Sequence, residues 1–145
     1  MIDLLSNFDA FTMAVLVAAL YFSLSSVLVY TYLYRRTYPG FGSMTLGLVS
    51  WSVGLFLNYF RPFDLMLSLY TGGVLMLLSG VFLFRGLLLY GGVRPKRRMA
   101  VNYGVFAVVS AVIAYYMFVD FDTCTRVSVF SLGMAFMFLR IGFEP

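Results

Sequence analysis

The chain has 145 residues, of which 62% are hydrophobic and 11% charged, with a mean hydropathy of +0.94. Soluble domains carry roughly 25% charged residues, so this chain lacks the polar groups to cover its own surface and is expected in a lipid bilayer. It has no histidine and a single cysteine, Cys124, which excludes histidine-ligated haem or zinc, a Ser-His-Asp triad, an intramolecular disulfide and a CxxC redox pair. The net charge of +4 reports topology on such a chain rather than nucleic-acid binding.

About 20 residues of helix cross a hydrocarbon core roughly 30 Å thick. Uncharged runs of that length predict spans over about 10–34, 43–60, 65–90 and 99–119. The second of these lies in an uncharged run over 37–60, and the third in one over 65–84 that Arg85 closes. A fifth span over 124–141 is expected from a shorter apolar run between Arg126 and Arg140. It crosses only if both arginines snorkel to the headgroups. The first segment follows Asp3 and Asp9 rather than basic residues, and its apolar run is too long for a cleaved signal peptide. The expected fold is all-α: one integral membrane domain over 1–145, a polytopic bundle of about five helices with short connections that make sequential helices antiparallel neighbours.

The charges predict orientation. With the N-terminus outside, Arg35, Arg36, Arg85, Arg94, Lys96, Arg97, Arg98 and Arg140 lie on the cytoplasmic side and only Arg61 and Arg126 outside, while five of six acids fall outside. The positive-inside rule then holds at every loop, predicting N-out, C-in. Tyrosine and phenylalanine gather at span ends, among them Tyr30, Tyr32, Tyr34 and Tyr38, then Phe56, Tyr59 and Phe60, then Tyr115, Tyr116 and Phe118. Rings at headgroup depth explain these groups.

Small residues recur at packing intervals: Gly47, Ser50 and Gly54; Ser68, Gly72, Gly73 and Gly80; Gly104, Ala107, Ala111 and Ala114; Ser131 and Ala135. Such stripes let helices approach closely, within one bundle or across a homodimer, and spacing does not separate the two. Polar residues inside the spans are few, and none is acidic, which counts against a proton-coupled transporter. Asn58 and Asn102 are candidates for binding or for helix-to-helix hydrogen bonds. Arg85 closes an apolar run with eight more uncharged residues after it; it either snorkels or holds an anionic group. Arg94, Lys96, Arg97 and Arg98 set topology and suit anionic lipid, at about 1 kcal/mol per residue. Cys124 has no partner in the chain.

The order of these features is familiar. Arg35, Arg36, Thr37, Tyr38, Pro39 and Gly40 lead into a span with Gly47, Trp51 and Gly54. A later span closes on Phe84, Arg85, Gly86 and Leu87, with Tyr90 nearby. The fourth ends in Tyr116, Met117, Phe118, Val119 and Asp120, and 126–132 opens the next. Over about residues 30 to 140 this resembles the N-terminal multi-span sensory region of bacterial diguanylate cyclases of the GGDEF class. Leu88 and Leu89 stand where basic residues often follow the Arg-Gly pair, and 71–73 where an Asn is common. The resemblance implies a bacterial inner-membrane module that receives a signal for a cytoplasmic domain making cyclic dinucleotide. Neither Gly72-Gly73 nor Gly91-Gly92 is followed by the acidic residues of a nucleotide-cyclising site, so this stretch alone is not an enzyme and reads as a fragment of a longer chain.

The expected function is a non-catalytic sensory or input module without cofactor or metal. Arg85, Asn58, Trp51 and Asn102 are the binding or signalling candidates, and Gly47, Gly54, Gly72, Gly73, Gly80 and Gly104 the packing residues. Its expected partners are the bilayer, a second copy and an output domain in the same chain, with no nucleic acid. The alternatives are a structural subunit of a larger membrane complex and a small transporter or channel; a membrane enzyme ranks last.

Overall fold

A computed structural model of the chain describes residues 10–35, 38–60, 64–92, 96–120 and 122–143. The architecture is all-helical, with five helices: α1 (Ala10–Tyr34), α2 (Phe41–Phe60), α3 (Leu65–Tyr90), α4 (Lys96–Phe118) and α5 (Thr123–Phe143). Four stretches, Val15–Tyr34, Phe41–Phe60, Leu65–Tyr90 and Met99–Phe118, are long and apolar enough to cross a membrane. Large apolar side chains face outward on every helix, from Leu20 and Phe22 on α1 to Val108 on α4 and Leu132 on α5. In water such a surface would be untenable; in lipid it is the solvent-facing side.

Sequential helices run antiparallel, so the bundle has an acidic end, with Asp64, Asp120 and Asp122, and a basic end, with Arg35, Arg85 and Arg140. Tyr30 packs on Tyr34 and Tyr38 on Tyr90 at the basic end, while Phe56 stacks on Phe60 and Tyr70 meets Phe118 edge-on at the other. The expected aromatic belts are thus present at both ends.

The tightest pair is α2 with α3. At Gly54 a Cβ would sit 2.8 Å from the Gly72 carbonyl oxygen and 2.7 Å from Met76 Cγ; at Gly72 it would sit 2.8 Å from the Gly54 oxygen. Gly47 meets Ser79 and Leu83 in the same way, and Gly86 faces Gly40 and Met44. Gly40 also has a φ of +93°, a left-handed turn that admits α2 and places its backbone against Gly86. Two hydroxyls cross the seam, Ser43 to the Phe82 carbonyl at 3.0 Å and Ser68 to the Leu57 carbonyl at 2.6 Å. These groups have no water to turn to in hydrocarbon, and interhelical hydrogen bonds there contribute about 0.6 kcal/mol each on average.

Helix α3 is the hub, contacting α2, α4 and α5, whereas among the described helices α1 packs on α2 alone. The α1 contact is made by the Ser25–Ser52 hydroxyl pair at 2.7 Å and by Tyr21 against Trp51. On the other side of α3 lie two apolar clusters. Val81, Phe84 and Leu88 meet Met99 and Met137 toward the basic end, and Leu77 meets Val109, Ile113 and Met134 beyond them. Flexible thioethers fill the irregular gaps between three helices.

The small-residue stripes divide accordingly. Gly47, Gly54, Gly72 and Gly80 lie at close helix contacts, Gly80 against Met137. Gly104, expected to pack, is exposed with nothing within 4 Å of its Cβ position, and Ala107, Ala111, Ser131 and Ala135 are exposed too. The faces of α4 and α5 that bury apolar side chains carry methionine, valine and isoleucine instead, so those small residues turn outward. Gly73 is partly buried but likewise has nothing within 4 Å. Gly133, which the packing intervals did not mark, does lie at a close contact: a Cβ there would sit 3.0 Å from Val109 Cγ2 of α4.

Gly54→Ala and Gly72→Ala are therefore expected to destabilise the bundle by roughly 1–3 kcal/mol, the usual cost of overpacking. Gly73→Ala and Gly104→Ala meet no atoms and should be neutral or slightly stabilising. Denaturant-induced unfolding of the purified chain in mixed micelles would measure all four.

Candidate functional site

Because α2 and α4 or α5 pack on α3 without close contact to one another, a gap opens between them near the acidic end. It is a cavity of about 220 Å³ lined by Asn58 of α2, Leu69, Gly73 and Met76 of α3, Ile113 of α4, and Arg126, Val127 and Phe130 of α5. Five of those eight side chains are apolar and Gly73 has none, which leaves Asn58 and Arg126 as the polar side chains among the described residues of the wall. The Asn58 amide is positioned by its neighbours: Nδ2 donates to the Met76 sulfur at 3.3 Å, and the carbonyl side lies against Gly72, where a Cβ would overlap it. Gly72 is thus required both for the α2–α3 approach and for the placing of Asn58. Arg126 reaches inward to the Met117 sulfur.

Helix α5 enters this site through a well-built first turn. Asp122 precedes it, and its carboxylate accepts from the Cys124 N–H at 2.9 Å, the Thr125 N–H at 3.4 Å and the Thr125 hydroxyl. The Thr125 hydroxyl above all, then the Thr125 and Cys124 amides, hold the Asp122 carboxyl below its ordinary pKa. That is the N-cap arrangement, which satisfies donors the helix cannot pair internally.

A second polar node lies at the other end of α5. Asn102 of α4 is fully buried, and its Oδ1 accepts from Arg140 Nη1 at 2.8 Å. The same guanidinium sits 5.2 Å from the centre of the Phe84 ring, within cation–π range. The Asn102 Nδ2 is buried without a hydrogen-bond partner, as are the Trp51 indole N–H and the Ser110 hydroxyl.

These two nodes change the reading of α5. Snorkelling to the headgroups was the expectation for Arg126 and Arg140, but both are half-buried and reach other helices of the bundle. They are 14 residues apart, nearly four whole turns, so they share a face with Phe130, Met134 and Met137. That face is the one α5 lays against α3 and α4. Neither arginine was singled out as a site residue, although the heptad-like spacing was there to be read.

The four residues expected to bind do not converge. Asn58 is at the acidic end and Asn102 near the basic end. Trp51 lies midway along α2, packed against the cluster of Leu77, Val109, Ile113 and Met134. Arg85 is exposed at the basic end, on the rim of a groove of about 810 Å³ shared with Tyr32, Tyr38, Ser43 and Thr45 of α1, α2 and the turn between them. That position suits the snorkelling reading of Arg85. Arg94 and the side chains of Lys96, Arg97 and Arg98 lie outside the described residues, so the lipid contact expected of them does too. Cys124 is exposed. Among the described residues, no group of three or more His, Cys, Asp or Glu side chains is placed to hold a metal ion.

No protein-family model matches the chain, and neither a curated protein nor a solved structure matches it.

Two outcomes follow from this geometry. Asn102→Leu should destabilise the fold by about 2–3 kcal/mol, because it deprives a half-buried guanidinium of a charge-assisted acceptor; the same unfolding titration reads it. Asp122 has a folded pKa below its unfolded one, so its contribution is present above the unfolded value and is lost as pH falls through the folded value. Amide exchange at Cys124 and Thr125, extrapolated from a pH series, should lose protection only as pH falls through the lowered folded pKa of Asp122, and Asp122→Asn should remove that pH dependence.

Proposed function

We propose that the chain is a non-catalytic input module of a bacterial inner membrane, with five crossings, the N-terminus outside and the cytoplasmic side at the basic end. The observation that carries this reading is the placement of α5 between two polar nodes. At the acidic end Arg126 and Phe130 wall a cavity shared with α2, α3 and α4. At the basic end Arg140 is bonded to a buried Asn102. A helix is stiff along its axis, so an occupant that moves Arg126 also biases the Arg140 contact about 21 Å away, at 1.5 Å per residue. The α5–α3 contact between them runs through thioethers and a glycine, Met134 and Met137 against Leu77 and Gly80, a surface that can repack at little cost. An occupant shifts that packing only as far as it binds one arrangement better than the other.

In this reading a cytoplasmic continuation receives the shift and alters cyclic dinucleotide synthesis, as the resemblance in the sequence implies. Among the described residues, Asp64, Asp120 and Asp122 lie at one end with a single arginine, Arg126, and Arg35, Arg85 and Arg140 lie at the other, which supports the orientation. Arg126 and Arg140 are compatible with a fifth crossing because each is paired inside the bundle rather than left to lipid. A second reading, a structural subunit of a larger complex, draws on α1, which packs on one helix only and leaves most of its surface outward.

The test locks α5 to α3. A Cβ on Gly80 would lie 3.8 Å from the Met137 Cβ, the mean separation for a disulfide of about 3.8 Å. In the full natural chain, Gly80→Cys with Met137→Cys, in a Cys124→Ser background, should cross-link on oxidation. Formation of the bond should change the cellular cyclic-dinucleotide level severalfold, and reduction should restore it. An unchanged level with the cross-link formed would count against the input reading and turn attention to the subunit one.

A further inference from the structure

We infer that the groove at the basic end of the bundle seats one anionic phospholipid, its phosphate on Arg85 and an acyl chain laid along α1 and α2. The groove, of about 810 Å³, lies between the end of α1, the start of α2 and the last turns of α3. Arg126 and Arg140 reach other helices, whereas Arg85 is exposed on the groove rim. A guanidinium stays charged at any physiological pH, and its planar fork of N–H donors fits a phosphate.

Tyr32 and Tyr38 line the same end, and both rings are held in place. A Cβ on Gly42 would lie 2.8 Å from Tyr32 Cε2, so only a glycine there lets the ring lie over the first turn of α2. Tyr38 meets Tyr90 edge-on. The Ser43 and Thr45 hydroxyls donate to the Phe82 and Phe41 carbonyls, so the headgroup is left to Arg85 and the two phenols.

Farther along the helices the wall turns apolar, with Val29, Leu46 and Val49. Val29 and Val49 also border a second gap between α1 and α2, of about 420 Å³, that carries on past Phe22 and Val53. Thr45 to Val53 is about 12 Å of helix, most of the depth of one leaflet in a hydrocarbon core roughly 30 Å thick. A charged mouth leading into a long apolar crevice fits an amphiphile, where a free anion would use the mouth alone.

Charge selects among lipids. No acidic side chain is among the described residues lining the groove, so the ammonium of a zwitterionic headgroup meets no counter-charge in that wall. Asp64, Asp120 and Asp122 lie at the opposite end of the bundle. The remaining acids, Asp3, Asp9 and Glu144, lie outside the described residues, and the experiment neutralises them directly.

The full natural chain in a neutral detergent is titrated with phosphatidylglycerol or phosphatidylcholine, and native mass spectrometry counts the bound lipids. The first phosphatidylglycerol should bind at least tenfold more tightly than phosphatidylcholine. Arg85→Gln should weaken it at least tenfold, and Arg85→Lys less. Leu46→Trp, which fills the groove from an exposed position, should displace it with Arg85 intact. Glutamine at Arg94, Lys96, Arg97 and Arg98 together should loosen later lipids and leave the first. Asp3→Asn, Asp9→Asn and Glu144→Gln combined should leave it within twofold; a tenfold gain would show Arg85 held by one of those carboxylates and overturn the assignment. Equal binding of the two lipids, indifference to Arg85→Gln, or loss of the first lipid with the loop charges alone would overturn it as well. So would displacement by inorganic phosphate, which would make the groove a site for free anions. The Gly80–Met137 cross-link does not touch this groove, so its outcome and this one are read separately.

Discussion

In hydrocarbon, helices gain nothing by hiding apolar side chains from water, so association depends on how closely their backbones can approach. Here that approach is made along one seam, where Gly54 meets Gly72, Gly40 meets Gly86, and Gly47 between them lies against Ser79 and Leu83 of α3. The rest of the bundle takes its positions from it. Close contact on one side of α3 leaves the opposite side for Met99, Met137, Leu77 and Ile113 to fill, and it holds α2 away from α4 and α5. The cavity at the acidic end is the consequence: α2 on one side and the α4–α5 pair on the other pack on one hub and do not reach each other. Gly72 sits at the junction of both effects, since the same missing Cβ that admits Gly54 also makes room for Asn58.

The second constraint is the cost of placing charge in apolar surroundings. Arg126 and Arg140 lie on the packed face of α5, where each finds a partner on another helix. One reaches the cavity and the other a buried asparagine. Polar contacts of this kind hold a helix in a defined rotation, because sliding or turning it would strand a guanidinium. Met134 and Met137 between them are permissive about exact position. A helix held at its ends by directional contacts and in its middle by soft ones is well suited to having two nearby arrangements.

Much of this was legible in one dimension. The helices lie close to the uncharged runs, the aromatic groups fall at both ends, and four stretches have the length and composition to cross a membrane. Gly47, Gly54, Gly72 and Gly80 were readable as packing residues because their spacing keeps them on a helix face. At Gly104, Ala107 and Ala111 the same spacing marks a stripe that faces outward rather than into the bundle. Periodicity states that residues share a face and is silent about which neighbour, if any, that face meets. Arg126 and Arg140 failed for a related reason: a charge beside an apolar run has two outlets, the headgroups or another helix, and only the position of Asn102 and of the cavity chooses between them.

Composition and charge alone therefore determined the four helices long and apolar enough to cross a membrane and the two chemically distinct ends of the bundle, because both follow from the length and hydration energy of uncharged runs. Which helix is the hub, which arginines turn inward, and the bringing together of Asn58 and Arg126, 68 positions apart, were decided only by tertiary packing. Those outcomes hinge on ångström-scale clearances such as the open space at Gly73 and its absence at Gly72, which no property of a residue type can express.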